Sequence, residues 1–296
     1  MKVLSVFIAF ILFSHVSVGT GQEQEKKNGE NLFTSKFQSV TAVSIDPSGR
    51  IYVVDGGANE IYKYNSDGSF LLKVGGAGWG DVSFDHPTDI VTQNVLDVYV
   101  SDYGNHRIQH LDRNLNFISS LKIHDDVDAK NRLGYPMGIA VDRFGALYVI
   151  DGEDSRIVKI KGNVIERIFG GLDAGEGRLH HPSAIKVSNE DIVYVVDDGE
   201  INEYDLFGNF INKYEKHLFT HLECISLLDN ALVVLDSSKA IIMGASKKDT
   251  LNVQIPQKDD LGAFGINGVC IYKNTMIGWS EHRVEEIPYF PPNEEK

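Results

Sequence analysis

The chain has 296 residues, 42% hydrophobic, 10% aromatic and 24% charged, a globular composition that excludes wholesale disorder. Its net charge of −14, from 28 Lys and Arg against 42 Asp and Glu, speaks against nucleic acid or an anionic membrane surface as partner, since both need clustered positive charge. Two cysteines are too few for a disulfide scaffold, and no Cys-x-x-Cys pair offers a zinc or redox motif.

Lys2 is the only charged residue before Glu23, and Val3 to Phe13 is an apolar run of eleven residues. A membrane-spanning helix needs roughly 20. Small residues follow at Ser17, Gly19 and Gly21. A basic start, a short apolar core and small residues read as a secretory signal peptide. Cleavage after Gly19 or after Gly21 fits. The first choice gives a signal peptide over 1–19, a polar leader over 20–30, a repeat domain over 31–290 and a polar tail over 291–296. The expected location is secreted or periplasmic, with no stable membrane insertion of the mature chain. Loss of Lys2 takes the charge from −14 to −15.

A short β-branched run ending in Asp then recurs: Ile51–Asp55, Val98–Asp102, Leu147–Asp151, Val193–Asp197 and Leu232–Asp236, with a weaker sixth copy at Met276–Ser280. The terminal residues are spaced by 47, 49, 46, 39 and 44. Such runs suit strands buried on both faces. Twelve residues before each Asp lies an apolar position (Val43, Ile90, Ile139, Ile185, Cys224) in a preceding strand. Third strands follow at Ile61–Tyr64, Arg107–Leu111, Arg156–Ile160 and Ile201–Tyr204, then Gly- or Asn-bearing turns and a fourth strand. Each period is thus a four-stranded antiparallel meander, and radial packing of such sheets buries both faces of each. The expected fold is all-β, a six-bladed β-propeller. The last repeat lacks a fourth strand, and Leu32–Phe37 is the natural donor to close the ring and remove an exposed edge.

The second and third copies resemble NHL repeats. Pro87-Thr88-Asp89-Ile90, followed by Val98-Tyr99-Val100-Ser101-Asp102-Tyr103-Gly104-Asn105-His106-Arg107-Ile108, is similar to the family pattern. So are the glycine-rich crossings Val74–Pro87 and Phe169–Pro182. The resemblance implies a six-bladed propeller and leaves the activity open, because this architecture hosts binding proteins and enzymes. Peptidylglycine amidating lyases of this type hold zinc with His just after the blade-start Pro. Thr88, Met137 and Ser183 occupy those places here, so that ligand set is absent. Streptogramin-lyase-like propellers use a His/Glu cluster on one face, for which His221, Glu223 and Glu281 are candidates by type.

In such a ring the crossings between blades and the turns between second and third strands share one face around the channel mouth. That face collects seven of the ten His, a residue suited to metal ligation and acid–base chemistry. The candidate ligand-binding residues are His86, Tyr135, His181 and His221 from the crossings, and Asn105, His106 and His282 from the turns. Asp89 and Glu223 each precede the aligned apolar position, on blades that stand opposite one another, and are expected to face the channel mouth. The repeating Asp residues read as structural acceptors of backbone N–H groups, with Arg107 and Arg156 as partners to two of them. Cys224 and Cys270 are expected on opposite faces of adjacent blades, as buried thiols. No Gly-x-Ser-x-Gly elbow, phosphate loop, His-Glu-x-x-His or EF-hand loop is present. The sequence therefore reads as a module that binds a protein, peptide or glycan through one face, with no cofactor predicted and no nucleic acid. The alternative is a lyase or hydrolase with Zn or Ca at the channel mouth.

Overall fold

The computed structural model describes residues 33, 35–92, 94, 96–122, 132–229, 231–236, 239–243, 250–254, 266–273 and 275–287. The expected signal peptide, leader and tail, with Leu32 and Thr34, lie outside them. The described residues form five four-stranded antiparallel sheets and one three-stranded sheet. The first holds β1 (Val40–Ile45), β2 (Ile51–Asp55), β3 (Glu60–Tyr64) and β4 (Phe70–Gly75). The second holds β5 (Pro87–Val91), β6 (Asp97–Asp102), β7 (Arg107–Asp112) and β8 (Phe117–Leu121). In the third are β9 (Pro136–Val141), β10 (Leu147–Asp151), β11 (Arg156–Lys161) and β12 (Val164–Phe169). The fourth comprises β13 (Pro182–Val187), β14 (Ile192–Asp197), β15 (Glu200–Asp205) and β16 (Phe210–Tyr214). The fifth comprises β17 (Leu222–Leu228), β18 (Ala231–Asp236), β19 (Lys239–Met243) and β20 (Thr250–Gln254), and the last β21 (Gly268–Tyr272), β22 (Thr275–Trp279) and β23 (Val284–Ile287).

The fold is an all-β propeller. Strands β2 and β10 are buried along their whole length, as their unbroken apolar sequences require. The outermost strands are largely exposed. Neighbouring sheets interlock face to face. Ala42, Tyr52 and Val54 of the first pack on Ile90, Val98 and Val100 of the second. Ala140, Tyr148 and Ile150 pack in the same way on Ile185, Val193 and Val195. Each such fully buried aliphatic contributes roughly 1.5–3 kcal/mol. One further cluster brings Val43 and Val53 of the first sheet against Ile277 and Val284 of the last, with Phe33 and Phe37. Phe33 meets Tyr64 edge-on at 5.0 Å and Phe37 meets Tyr62 at 5.1 Å. The Val40 N–H also donates to Glu281 O at 2.7 Å. The expected N-terminal strand is not found among the described residues, where the last sheet keeps three strands.

A bulge interrupts the start of the first strand in each four-stranded sheet, at Thr41, Thr88, Met137, Ser183 and Glu223. It re-aims one side chain per sheet. Outer turns are closed by Asp side chains: Asp205 Oδ1 accepts from the N–H groups of Phe207 and Asn209 at 2.8 and 2.9 Å. Gly208 in that turn has φ +81, and a Cβ there would lie 2.5 Å from the Phe169 ring. The same turn is also tied across sheets. Tyr148 Oη and Lys159 Nζ both donate to Leu206 O of the following sheet, at 3.1 and 3.0 Å. Tyr52 and Lys63 treat Arg113 O in the same way.

The glycine-rich crossing after β4 is held by its carbonyls. Arg107 donates to the oxygens of Trp79, Gly80 and Ser83 at 3.0, 2.9 and 2.8 Å. Its Nε lies 2.7 Å from Asp102 Oδ2, and both side chains are buried. A phosphate cradle needs inward N–H groups instead. Arg107→Ala would strip a buried carboxylate of its cation and free three carbonyls. The expected loss is about 3–5 kcal/mol, measured by urea denaturation. The exposed control Arg143→Ala should change stability by under about 1 kcal/mol.

Candidate functional site

One repeated bond builds the face that carries the candidate residues. The Asp ending the second strand of each four-stranded sheet is buried and accepts N–H bonds from the crossing that enters its own blade. Asp55 accepts from Gln38 and Ser39 at 2.7 and 2.8 Å, and Asp102 from Asp85 at 2.7 Å. Asp151 accepts from Gly134 at 3.2 Å, and Asp197 from His180 and His181 at 2.9 and 2.7 Å. Asp236 accepts from Thr220 and His221 at 2.8 and 2.5 Å. These carboxylates are structural, and the Arg partners are in place: Arg156 Nε lies 3.0 Å from Asp151. The donors come from upstream as well as from the following turn.

Several candidates stand on the rim this bond creates. His86 has φ +50, donates its N–H to Asn59 at 2.7 Å and pairs through Nδ1 with Asp85 at 2.5 Å. His106 meets Tyr135 in a tilted contact with centroids 4.1 Å apart, and Tyr103 lies 4.9 Å from the same Tyr135 ring. His181 is exposed, and its Nδ1 meets Asp198 Oδ1 at 2.9 Å. His221 Nε2 lies 3.4 Å from Glu223 Oε1. His282 is exposed, 3.8 Å from Glu281. Asn105 is corrected by the structure. It is 3% exposed and gives its amide to Gly78 O and Asp102, each at 2.9 Å. It therefore shapes the crossing and presents nothing to a ligand.

Asp89 and Glu223 both line a central cavity of about 300 Å³, together with Thr88, Met137, Ser183, Lys186 and both cysteines. Val43, Lys186, Ser226 and Cys270 also line a second cavity of about 520 Å³ that runs on along the same first strands. The two carboxylates are not equivalent, contrary to their alignment by counting back from Asp. Leu228 pairs with Ala231, leaving a two-residue connection, where Ile45 pairs with Ile51 in the first sheet. Glu223 therefore falls at the bulge, in the place of Thr88, and Cys224 takes the place of Asp89. The parallel extends to bonding. Asp89 Oδ2 accepts the Ile139 N–H at 2.9 Å, and Cys224 Sγ accepts the Val269 N–H at 3.4 Å. Burial raises the Asp89 carboxyl above its ordinary value, opposed by Lys186 and by its backbone donors. Thr88 donates to Met137 O at 2.8 Å, so the post-proline positions are tied to the next blade and offer no set of zinc ligands.

The same register corrects the cysteines. Cys224 pairs with Leu235, one position before Asp236, and Cys270 with Ile277, three before Ser280, which stands in the place of that Asp. Positions two apart share a face, so both thiols line the channel. Both are free. Burial pushes the Cys224 thiol up to about 11 and Cys270 higher still, with Lys186 opposing at each. Lys186 escaped the sequence reading. At its register the other five first strands carry Ser44, Val91, Ala140, Ser226 and Cys270, so it is the one cation among them, and that contrast was the available signal. His180 and Asp198 were also left out of the candidate set. Among the described residues, the ligand atoms that lie mutually within 4.8 Å belong to His180, Asp197 and Asp198, and not to Asp89, His221, Glu223 and His282.

Two outcomes follow from these environments. In native protein at pH 8 both thiols should react with a water-soluble alkylating agent at least tenfold more slowly than in urea, as read by mass spectrometry; equal rates would contradict their burial. The Asp198 carboxylate raises the His181 imidazole above its ordinary value. The favoured imidazolium is fully present below the unfolded-state value and lost as pH rises through the folded one. NMR titration of chelator-treated protein should place His181 above a free histidine, and Asp198→Asn should bring it back down.

No protein-family model matches the chain. Over 90 residues, 29% of its length, it is 31% identical to NHL repeat-containing protein 3 of Mus musculus and of Homo sapiens, in each case over 26% of that protein. The chain thus spans about a quarter of these relatives. Among solved structures it is similar to virginiamycin B lyase from Staphylococcus aureus, with a TM-score of 0.59, 15% identity, and coverage of 85% of this chain and 80% of that one. A Bacteroides thetaiotaomicron protein of unknown function has a TM-score of 0.63 at 12% identity, over 88% of this chain and 71% of that one. At such identities the likeness is one of fold. Repeat sequence and sheet order together make this chain a β-propeller of NHL type.

Proposed function

We propose that the chain is a secreted binding module whose ligand, a protein, peptide or glycan, docks on the face formed by the crossings and the second-to-third-strand turns. The observation that supports this most is the Tyr103–Tyr135–His106 shelf. Three half-buried rings meet there, between the second and third blades. Rigid aromatic surface with polar tips suits peptide side chains and sugar faces alike. Exposed His–carboxylate pairs at His86, His181 and His221 add polar groups on the second, fourth and fifth blades of the same face. The cluster shared by the first and last sheets supports a closed ring of six blades over 31–290, with residues 1–19 acting as the export signal and 20–30 as a leader. Among the described residues no helix is long and apolar enough to cross a membrane. The net charge of −14 disfavours nucleic acid.

The His221–Glu223 pair beside the channel motivates a second reading, a lyase or hydrolase with a divalent metal at the channel mouth. Labelled protein applied to peptide and glycan arrays separates the two. Tyr135→Ala should weaken the captured ligands tenfold or more, about 1.4 kcal/mol, while His221→Ala leaves them. Loss on His221→Ala alone, with Tyr135→Ala binding normally, would move the site to the channel mouth.

A further inference from the structure

The repeated Asp bond brings four positions together in each four-stranded blade: the two residues ahead of the first strand, the Asp itself and the residue after it. The first blade fills them with Gln38, Ser39, Asp55 and Gly56; the second with Asp85, His86, Asp102 and Tyr103; the third with Gly134, Tyr135, Asp151 and Gly152. The fifth has Thr220, His221 and Asp236, its fourth position lying outside the described residues. Only the fourth blade, among the described residues, places imidazole or carboxylate at all four: His180, His181, Asp197 and Asp198. The scaffold is common to the blades, so the difference is one of chemistry.

The distances suit a small cation. His180 Nδ1 lies 3.6 Å from Asp197 Oδ2. Asp197 Oδ1 accepts the His180 and His181 N–H groups at 2.9 and 2.7 Å, and Oδ2, which accepts the His180 N–H at 3.1 Å, also faces the His180 ring. Asp198 completes a set whose ligand atoms lie within 4.8 Å of one another. A tetrahedral zinc with bonds near 2.0–2.2 Å holds its ligands roughly 3.3–3.5 Å apart. His180 and Asp198 are about half exposed, at 52% each, and closing that difference takes side-chain rotation alone. The His181 Nδ1 contact to Asp198 is the outer-shell bond that commonly orients a ligating carboxylate. Asp198 also lines a cavity of about 250 Å³ that reaches His221, so a fourth coordination position would open toward it.

We infer that the fourth-blade rim is a binding site for a divalent first-row cation, zinc by ligand type, held by His180, Asp197 and Asp198 with His181 as the positioning residue. Imidazole with carboxylate suits such an ion, whereas calcium takes 6–8 oxygens, more than these residues offer. The site lies apart from the channel mouth and from the aromatic shelf.

The test uses full-length protein stripped with chelator and titrated with Zn²⁺ by calorimetry, with thermal melting in parallel. Wild type should take up one saturable equivalent and melt higher. His180→Ala and Asp198→Asn, both exposed changes, should each weaken uptake tenfold or more while the metal-free melting temperature stays unchanged. His86→Ala, on another blade, should bind as wild type does, and Ca²⁺ should not compete. Absence of saturable uptake by wild type overturns the site. So does full-strength binding by both His180→Ala and Asp198→Asn, and so does loss of binding in His86→Ala. The array experiment reads the aromatic shelf, which shares no residue with this site, so either result stands without the other.

Discussion

The bond on which this molecule depends is the one between a buried carboxylate at the end of the second strand in each four-stranded sheet and the backbone of the segment entering the same blade. Burying a charge is costly unless it is paired and hydrogen-bonded. Two N–H groups answer that cost at Asp55, Asp197 and Asp236, and an Arg answers it at Asp102 and Asp151. The Arg stands directly across the hairpin from its Asp. In the first and fourth blades a Glu occupies that position and turns outward to a Lys, Glu60 to Lys73 and Glu200 to Lys213. The outcome in each blade is the same. The crossing is fixed close to the strand end, and whatever side chains it carries are delivered to one face.

Delivery by a common frame explains why the face is rich in chemistry and poor in any single constellation. Each blade presents the residues that happen to occupy shared positions: a Tyr and His in contact between the second and third blades, a His–Asp cluster on the fourth, a His–Glu pair on the fifth. The channel differs. Its lining carries Asp89 and Glu223 with one ammonium, Lys186, whose field reaches Asp89 and both thiols. Charge there is sparse, two carboxylates against one ammonium, which suits a lining that also has to pack six first strands.

Much of the architecture was legible in the sequence because the repeating elements are encoded locally. Leu147–Asp151 is apolar throughout because both faces are covered, and Asp205 with Gly208 and Asn209 spells out its turn. The structural role of the terminal Asp residues was legible for the same reason. Asn105 was not, because nothing in Tyr103-Gly104-Asn105-His106 says that the amide turns inward to Gly78. The equivalence of Asp89 and Glu223 failed for a subtler reason. Counting back from Asp assumes a constant hairpin, and the fifth blade shortens it. Convergence of His180, Asp197 and Asp198 needed tertiary distances, though the spacing of the crossing from its Asp, constant across the first four blades, already held the hint.

The short connection between Leu228 and Ala231 acts at a distance. It lies at the far end of the β17–β18 pair from Glu223 and Cys224, yet its length decides which of them occupies the bulge and which takes the neighbouring place. Because side chains alternate along a strand, an insertion or deletion in that outer loop slides the whole innermost strand by one step. The channel could thereby exchange a carboxylate for a thiol without a single substitution among its lining residues. In a propeller of this kind, loop length at one end is a dial for the chemistry at the other, and variation in loops that look remote can be read as variation in the site.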